Sequence, residues 1–246
     1  MRVSSTVAVL ALGATVLRSP EVGAYRPFDQ TDADVAEPRE VEVELGPVGV
    51  ARSSEELVLV APALIVNYGI RPRLELVVEG KNEWLLHPSS QRRWRPQDFA
   101  VSLKGLVRRG SLQGEGGLSI AVEPSVLLPG RDQRGAGAQV GVILSLLGPA
   151  GALHLNVVPG LSRDHNPAGA IGIIAEGPFA WRLRPVGEGL VYGEAGAGEG
   201  RLASVLLGFI ARAGETLSFD GAVRTERAAG TTTLEVRAGL TWAFGT

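Results

Sequence analysis

The chain has 246 residues and carries 24 Lys and Arg against 26 Asp and Glu, a formal net charge of −2. Near-neutrality excludes the concentrated positive charge of a nucleic-acid binder. The absence of cysteine excludes disulfide scaffolds, cysteine-ligated zinc and thiol catalysis. Glycine is 33 of the 246 residues, well above the usual share of about 7%, which points to a chain rich in turns and β-structure.

Met1-Arg2 gives a cationic start, Val7 to Leu17 an apolar stretch, and Val22-Gly23-Ala24 the small residues a signal peptidase reads. This is the pattern of a secretory signal peptide over residues 1–24. Residues 25–38 then read as a periplasmic N-terminal segment, and 39–246 as the folded domain. The longest later apolar run, Leu57 to Val66, is broken by Pro62. It is far short of the roughly 20 residues a transmembrane helix needs.

From residue 39 onward, apolar residues recur at every second position in short bursts bounded by Gly, Pro, Asn, Asp and Arg. Glu40 to Leu45 alternates carboxylates with aliphatics, and Leu74 to Glu79, Leu118 to Glu123, Leu153 to Val157 and Leu217 to Asp220 follow suit. In the last segment Leu234, Val236, Ala238, Leu240, Trp242 and Phe244 share one face, with Glu235 and Arg237 on the other. Period-2 alternation is a strand signal. The spacing predicts twelve strands, over 39–46, 57–66, 74–81, 98–108, 117–128, 136–147, 152–159, 170–184, 190–196, 202–212, 217–224 and 232–244.

Twelve antiparallel strands without helices fit either a secreted β-sandwich acting as a binding module or an up-and-down transmembrane β-barrel. Three features favour the barrel. The strand number is even. The face opposite the aliphatics carries charges or polar groups (Glu75, Glu79, Lys104, Glu123, His154, Asn156, Arg182, Glu235, Arg237), as a hydrated lumen requires. In this parse, connections after odd strands average about 9 residues and those after even strands about 5, the sorting expected of outer loops and inner turns. Trp84, Trp94, Trp181, Trp242, Tyr68 and Tyr192 fall near strand ends, where interfacial girdles belong. In a barrel, Arg92, Arg93, Trp94 and Arg95 form an extracellular basic loop suited to lipopolysaccharide phosphates. Lumen charges of both signs imply weak ion selectivity, and twelve strands leave a narrow bore that inserted segments could close.

Several short stretches resemble a known family. They are Arg26-Pro27-Phe28, Thr31-Asp32-Ala33-Asp34 and Glu37-Pro38; Pro62-Ala63-Leu64 with Asn67-Tyr68-Gly69-Ile70; Asp98 to Lys104; Glu123-Pro124 through Leu128-Pro129-Gly130; and Leu153 to Asn156. Over about residues 26–160 the chain resembles the "meta-pathway of phenol degradation" family of outer-membrane proteins. That resemblance implies a Gram-negative outer-membrane barrel passing small organic, often aromatic, compounds. It also implies outer-membrane lipid, lipopolysaccharide and the barrel assembly machinery as partners, and no cofactor. Members usually end on an aromatic residue; here Gly245-Thr246 follow Phe244.

Enzyme motifs are lacking: there is no G-x-S-x-G, H-E-x-x-H, Walker loop or strand-borne G-x-G-x-x-G. His87, His154 and His165 are too scattered for a metal site. The run Gly193 to Gly200 lacks the Lys-Ser/Thr of a phosphate cradle and reads as a strand end and loop. His154 and Asn156 share the polar face of one strand. With a serine such as Ser145 on a neighbouring strand, they would supply the parts of an outer-membrane lipid hydrolase, an alternative the sequence leaves open.

Overall fold

In the computed structural model, residues 26–245 are described except 55, 87–92, 131–134 and 197–200. Twelve antiparallel strands form a closed barrel in which each strand pairs with its sequence neighbours and the last with the first. They are β1 (Val41–Arg52), β2 (Leu57–Arg71), β3 (Leu74–Leu85), β4 (Trp94–Arg108), β5 (Ser119–Leu127) and β6 (Gly137–Gly148). The second half comprises β7 (Gly151–Leu161), β8 (Pro167–Glu176), β9 (Leu183–Glu194), β10 (Arg201–Arg212), β11 (Leu217–Ala228) and β12 (Thr231–Phe244). Closure runs from Val41 opposite Phe244 to Arg52 opposite Leu234. It leaves no sheet edge, which is the condition for a sheet to lie in hydrocarbon.

The alternation seen in the sequence sorts the side chains as expected. Val78, Leu103, Val140, Ile173, Leu207 and Val236 are among the aliphatics exposed on the outer wall. Glu42, Glu75, Lys104, His154, Asn156 and Glu188 are buried on the inner side. No helix is long and apolar enough to cross a membrane among the described residues; the crossing elements are strands. Trp84 and Trp94 lie with ring centroids 6.3 Å apart at the end where odd strands finish. Exposed Tyr68, Trp181, Trp242 and Phe244 ring the opposite end. Tyr192 does not belong to a girdle: its hydroxyl turns inward and donates to Glu194 Oε2 at 3.0 Å.

Three sequence expectations need correction. The segment 170–184 is not one strand. Glu176 ends β8, and residues 177–182 form a turn containing Gly177 and Pro178 before β9 begins at Leu183. The apolar Phe179, Ala180 and Trp181 in that turn mimic strand periodicity. Loop sorting is also weaker than expected. Connections after odd strands have 4, 8, 9, 5, 6 and 2 residues, and those after even strands 2, 10, 2, 6 and 4, because most strands run further than their alternation shows. Finally, of the segment 25–38 read as periplasmic, the described residues 26–38 run through the barrel's lumen.

The ladders are interrupted in one sector of the wall. Register shifts fall between Leu45 and Val48 on β1, between Val60 and Ala63 and between Gly69 and Arg71 on β2, between Glu79 and Lys81 on β3, and between Leu106 and Arg108 on β4. Pro62 sits at the second shift and has no N–H for the ladder.

Leu207, two-thirds exposed at the centre of β10, tests which face meets lipid. Leu207→Arg should cost about 2–4 kcal/mol of barrel stability, measured by denaturant titration of the protein refolded in vesicles. Leu207→Ala should cost markedly less.

Candidate functional site

The lumen is occupied by its own N-terminal segment. From Arg26 the chain crosses from the wall made by β9–β12 to the wall made by β3–β7, then returns to the rim to enter β1. It adopts no regular structure, so its backbone polar groups need partners from the wall. Glu44 accepts a hydrogen bond from the Arg26 N–H at 2.7 Å. The Glu188 carboxylate accepts from the N–H groups of Asp29 and Gln30 at 2.9 and 2.8 Å. Asn156 donates to the Thr31 carbonyl at 2.8 Å, and Ser145 Oγ accepts from the Ala33 N–H at 2.9 Å. Glu75 accepts from the Ala36 N–H. The rim is sealed by the Arg39 N–H, which donates to the Gly69 carbonyl at 2.7 Å.

Charge pairing reinforces this attachment. Lys104, fully buried, lies 3.5 Å from Asp32 and donates to Thr31 Oγ1 at 3.2 Å. Asp29 sits between Arg224 at 2.8 Å and Arg237 at 2.9 Å. Burial alone would raise the Asp29 carboxyl, but these two guanidinium groups outweigh it and hold its pKa below the usual carboxylate value. Asp34 has the opposite balance. Burial and the neighbouring Asp32 push it up to about 6, despite the bond it accepts from Gln113. Two apolar contacts complete the plug. Phe28 packs into a cluster of Ile174, Val186, Leu206, Ile210 and Ala222, while Ala33 meets Ala121 and Ile143.

Lumen-facing glycines make the room. A Cβ at Gly69 would overlap the Glu37 carbonyl, and one at Gly172 would meet Gln30 Cγ at 2.6 Å. The plug thus leaves two chambers. One, of about 670 Å³, opens at the loop end and is lined by Glu79, Lys81, Asp98, Glu123, Arg224 and Arg237. The other, of about 1060 Å³, lies toward the end holding Val41 and Phe244 and is lined by Asp32, Asp34, Glu42, Glu75, Glu176 and Arg184.

Of the residues expected to line the lumen, eight do so. Glu75, Lys104, His154 and Asn156 hold or surround the plug, and Glu79, Glu123, Glu235 and Arg237 face the loop-end chamber. Arg182 does not line it. It lies exposed in the 177–182 turn, and Arg184, two residues on, points inward to Glu176 at 2.8 Å. The basic loop also resolves differently. Arg95 is a β4 residue paired with Glu56 and Glu83 at 3.0 and 3.2 Å. Trp94 starts β4 and donates to Asn82 Oδ1 at 3.0 Å. Arg93 is exposed beside it, and Arg92 lies outside the described residues. His87 and residues 197–200 of the glycine run lie outside them too.

Sequence reasoning missed the apolar patch that receives Phe28 and missed Glu188, Arg184, Glu176 and Arg224. The available signal was the doubling of apolar residues, as in Val205-Leu206-Leu207 and Phe209-Ile210, at inner positions that are polar elsewhere.

His154 ties Ser145, Glu176 and Arg184 into one row. Its Nδ1 lies 2.8 Å from Ser145 Oγ and its Nε2 lies 3.1 Å from Glu176, which Arg184 holds from the other side. This row has the order of a hydrolase triad. Ser145 and His154 are fully buried, however, and the serine oxygen already accepts the plug's Ala33 N–H. The row holds the plug, and neither Ser145 nor His154 borders either chamber. Among the described residues no cluster of His, Asp or Glu is arranged to hold a metal ion.

No family model and no curated protein matches the chain. Solved structures do. The NanC porin aligns with a TM-score of 0.60 at 8% identity, over 82% of this chain and 98% of its own. The KdgM porin in complex with disordered oligogalacturonate aligns with a TM-score of 0.57 at 11% identity, over 83% and 99%. The COG4313 outer membrane channel from Pseudomonas putida F1 aligns with a TM-score of 0.56 at 10% identity, over 88% and 100%. The fold is therefore an outer-membrane β-barrel, here of twelve strands.

Gly69→Ala should loosen residues 36–39 while leaving the barrel intact, seen as faster amide exchange in that segment with unchanged heat-modifiable migration on a gel. Asp34 binds its proton more readily docked than free, since its docked pKa is near 6 against about 3.9 in an unfolded chain. Its contribution to docking is full below the lower value and is lost as pH rises through 6. Amide protection of the plug, corrected for intrinsic exchange, should thus fall between pH 5 and 7.5 by more in the wild type than in Asp34→Asn.

Proposed function

We propose that the protein is an outer-membrane channel, exported by the signal sequence at 1–24, that passes small organic compounds passively. In this reading the N-terminal segment is its closure. The observation that carries it is the division of one lumen into two chambers by a segment without secondary structure, held chiefly by side-chain hydrogen bonds and ion pairs. A ladder strand would be a permanent part of the wall. A segment tied by such contacts exchanges them for water at modest net cost, because a typical hydrogen bond contributes only about 0.5–1.5 kcal/mol.

The stretches that resemble the phenol meta-pathway family favour a relation to that group, and the plug's own Thr31-Asp32-Ala33-Asp34 is one of them. A non-catalytic role is favoured by the sealed Ser145–His154–Glu176 row. The lumen carries charges of both signs, with carboxylates outnumbering basic groups along both chambers, which supports weak ion selectivity with a lean toward cations.

Planar-bilayer recording tests the reading. The wild type should show rare, small openings, and deletion of residues 26–38 should raise mean conductance several-fold. A deletion variant that folds, shown by its altered migration when unheated, and yet stays silent would overturn it. So would recovery of the native protein in a soluble fraction.

A further inference from the structure

The plug meets the barrel most specifically at two consecutive residues. Phe28 fills a lumen pocket of Ile174, Val186, Leu206, Ile210 and Ala222 and is itself only 7% exposed. Asp29 presents each carboxylate oxygen to a different arginine: Oδ2 lies 2.8 Å from Arg224 Nε, and Oδ1 accepts from Arg237 Nη1 at 2.9 Å. The two subsites share one wall. Ala222 of the apolar pocket is the cross-strand partner of Arg237, and Arg224 follows Ala222 by two positions on the same face of β11. All four groups, Phe28, Asp29, Arg224 and Arg237, border the loop-end chamber of about 670 Å³, so a solute entering there reaches both.

We propose that Phe28 and Asp29 are an internal surrogate in a binding site for a small organic carboxylate with an apolar body, and that such a solute displaces the plug by competing for it. The inference rests on the plugged-channel reading above and adds its ligand class.

Three physical points carry it. An apolar pocket facing a lumen otherwise lined by charge is filled by nothing else in the barrel, and an unfilled one would face water at a cost proportional to its area. Charge is conserved in the exchange. Arg224 and Arg237 are also flanked by Glu226 and Glu235, so the cluster admits one more carboxylate only in exchange: a solute anion entering as Asp29 leaves restores the same balance. Donor capacity also remains: the buried Nε–H of Arg237 makes no hydrogen bond in the docked state, and that of Arg224, although 2.8 Å from Asp29 Oδ2, is not directed at it. A free carboxylate, not tethered through a backbone, can align with a guanidinium edge in the bidentate manner that a short Asp side chain on the plug does not reach here.

Competition with a tethered group has a defined signature. The solute's apparent affinity is lowered by the fraction of barrels whose site is vacant, so weakening the surrogate must tighten solute binding.

The test uses 3-phenylpropionate, which carries a ring and a carboxylate, with 3-phenylpropanol and propionate as probes lacking one or the other. Binding to the full-length protein in detergent micelles is followed by ligand-observed nuclear magnetic resonance. The Phe28→Ala/Asp29→Asn double variant should bind 3-phenylpropionate at least tenfold more tightly than the wild type. Adding Arg237→Gln should remove that gain in a barrel that remains heat-modifiable. Both control probes should bind at least tenfold more weakly than 3-phenylpropionate. In the wild type, the same ligand should accelerate amide exchange over residues 27–36. Equal affinity of wild type and double variant, or equal binding of the alcohol, would overturn the inference. Since this readout needs no conductance, binding without channel activity would count against the channel alone. Conductance released by deleting residues 26–38, without carboxylate binding, would count against the ligand site alone.

Discussion

The constraint on which the structure depends is the satisfaction of polar groups on both sides of one sheet. On the lipid side, closure of β12 on β1 leaves no unpaired backbone edge. On the lumen side, the same alternation that puts aliphatics into lipid forces a dense set of ionisable groups into a narrow bore. Lys104, Glu75, His154, Asn156 and Glu188 are all buried there, and buried polar groups need partners. The N-terminal segment supplies them. Its irregular backbone has donors to spare, and the wall has carboxylates and amides to receive them.

The plug and the barrel are therefore complementary in a specific sense. A segment in helical or strand form would bring its hydrogen bonds already made and would leave Glu188, Glu75 and Ser145 without their present donors. The Ser145–His154–Glu176–Arg184 row illustrates the point. Each member is satisfied by the next, and the hydroxyl at its end is closed by the Ala33 N–H. The hydrogen bonds of this row end on the plug's backbone and hold it in place.

The barrel was legible in the sequence because its determinant is local. Leu234 to Phe244 states its outer and inner faces within a dozen residues, and so does Leu153 to Val157. Errors arose where a local pattern had two readings. Phe179-Ala180-Trp181 continues strand periodicity through a turn, so Arg182 was placed on the wall in the position that Arg184 holds. The site was legible only as a list of inward side chains. Its assembly depends on contacts such as Arg237 with Pro27, 210 positions away, for which the sequence carries no periodic signal. The apolar pocket for Phe28 was hidden for a further reason: apolar residues at inner positions of β8–β11 look identical to outward ones when both faces are aliphatic.

The span of those contacts bears on how the molecule is built. The plug is the first described stretch of the chain, yet Arg26 donates to the Ala238 carbonyl on the last strand, 212 residues later. Asp29 similarly requires both β11 and β12. The earliest part of the polypeptide therefore cannot reach its final place until the latest part has joined the wall, since contacts of such sequence separation form only after the intervening chain is ordered. Seating of residues 26–40 is thus a report that the circle is complete. A barrel lacking its last two strands would lack both arginines that hold Asp29, and a half-built pore would be left without its stopper in place.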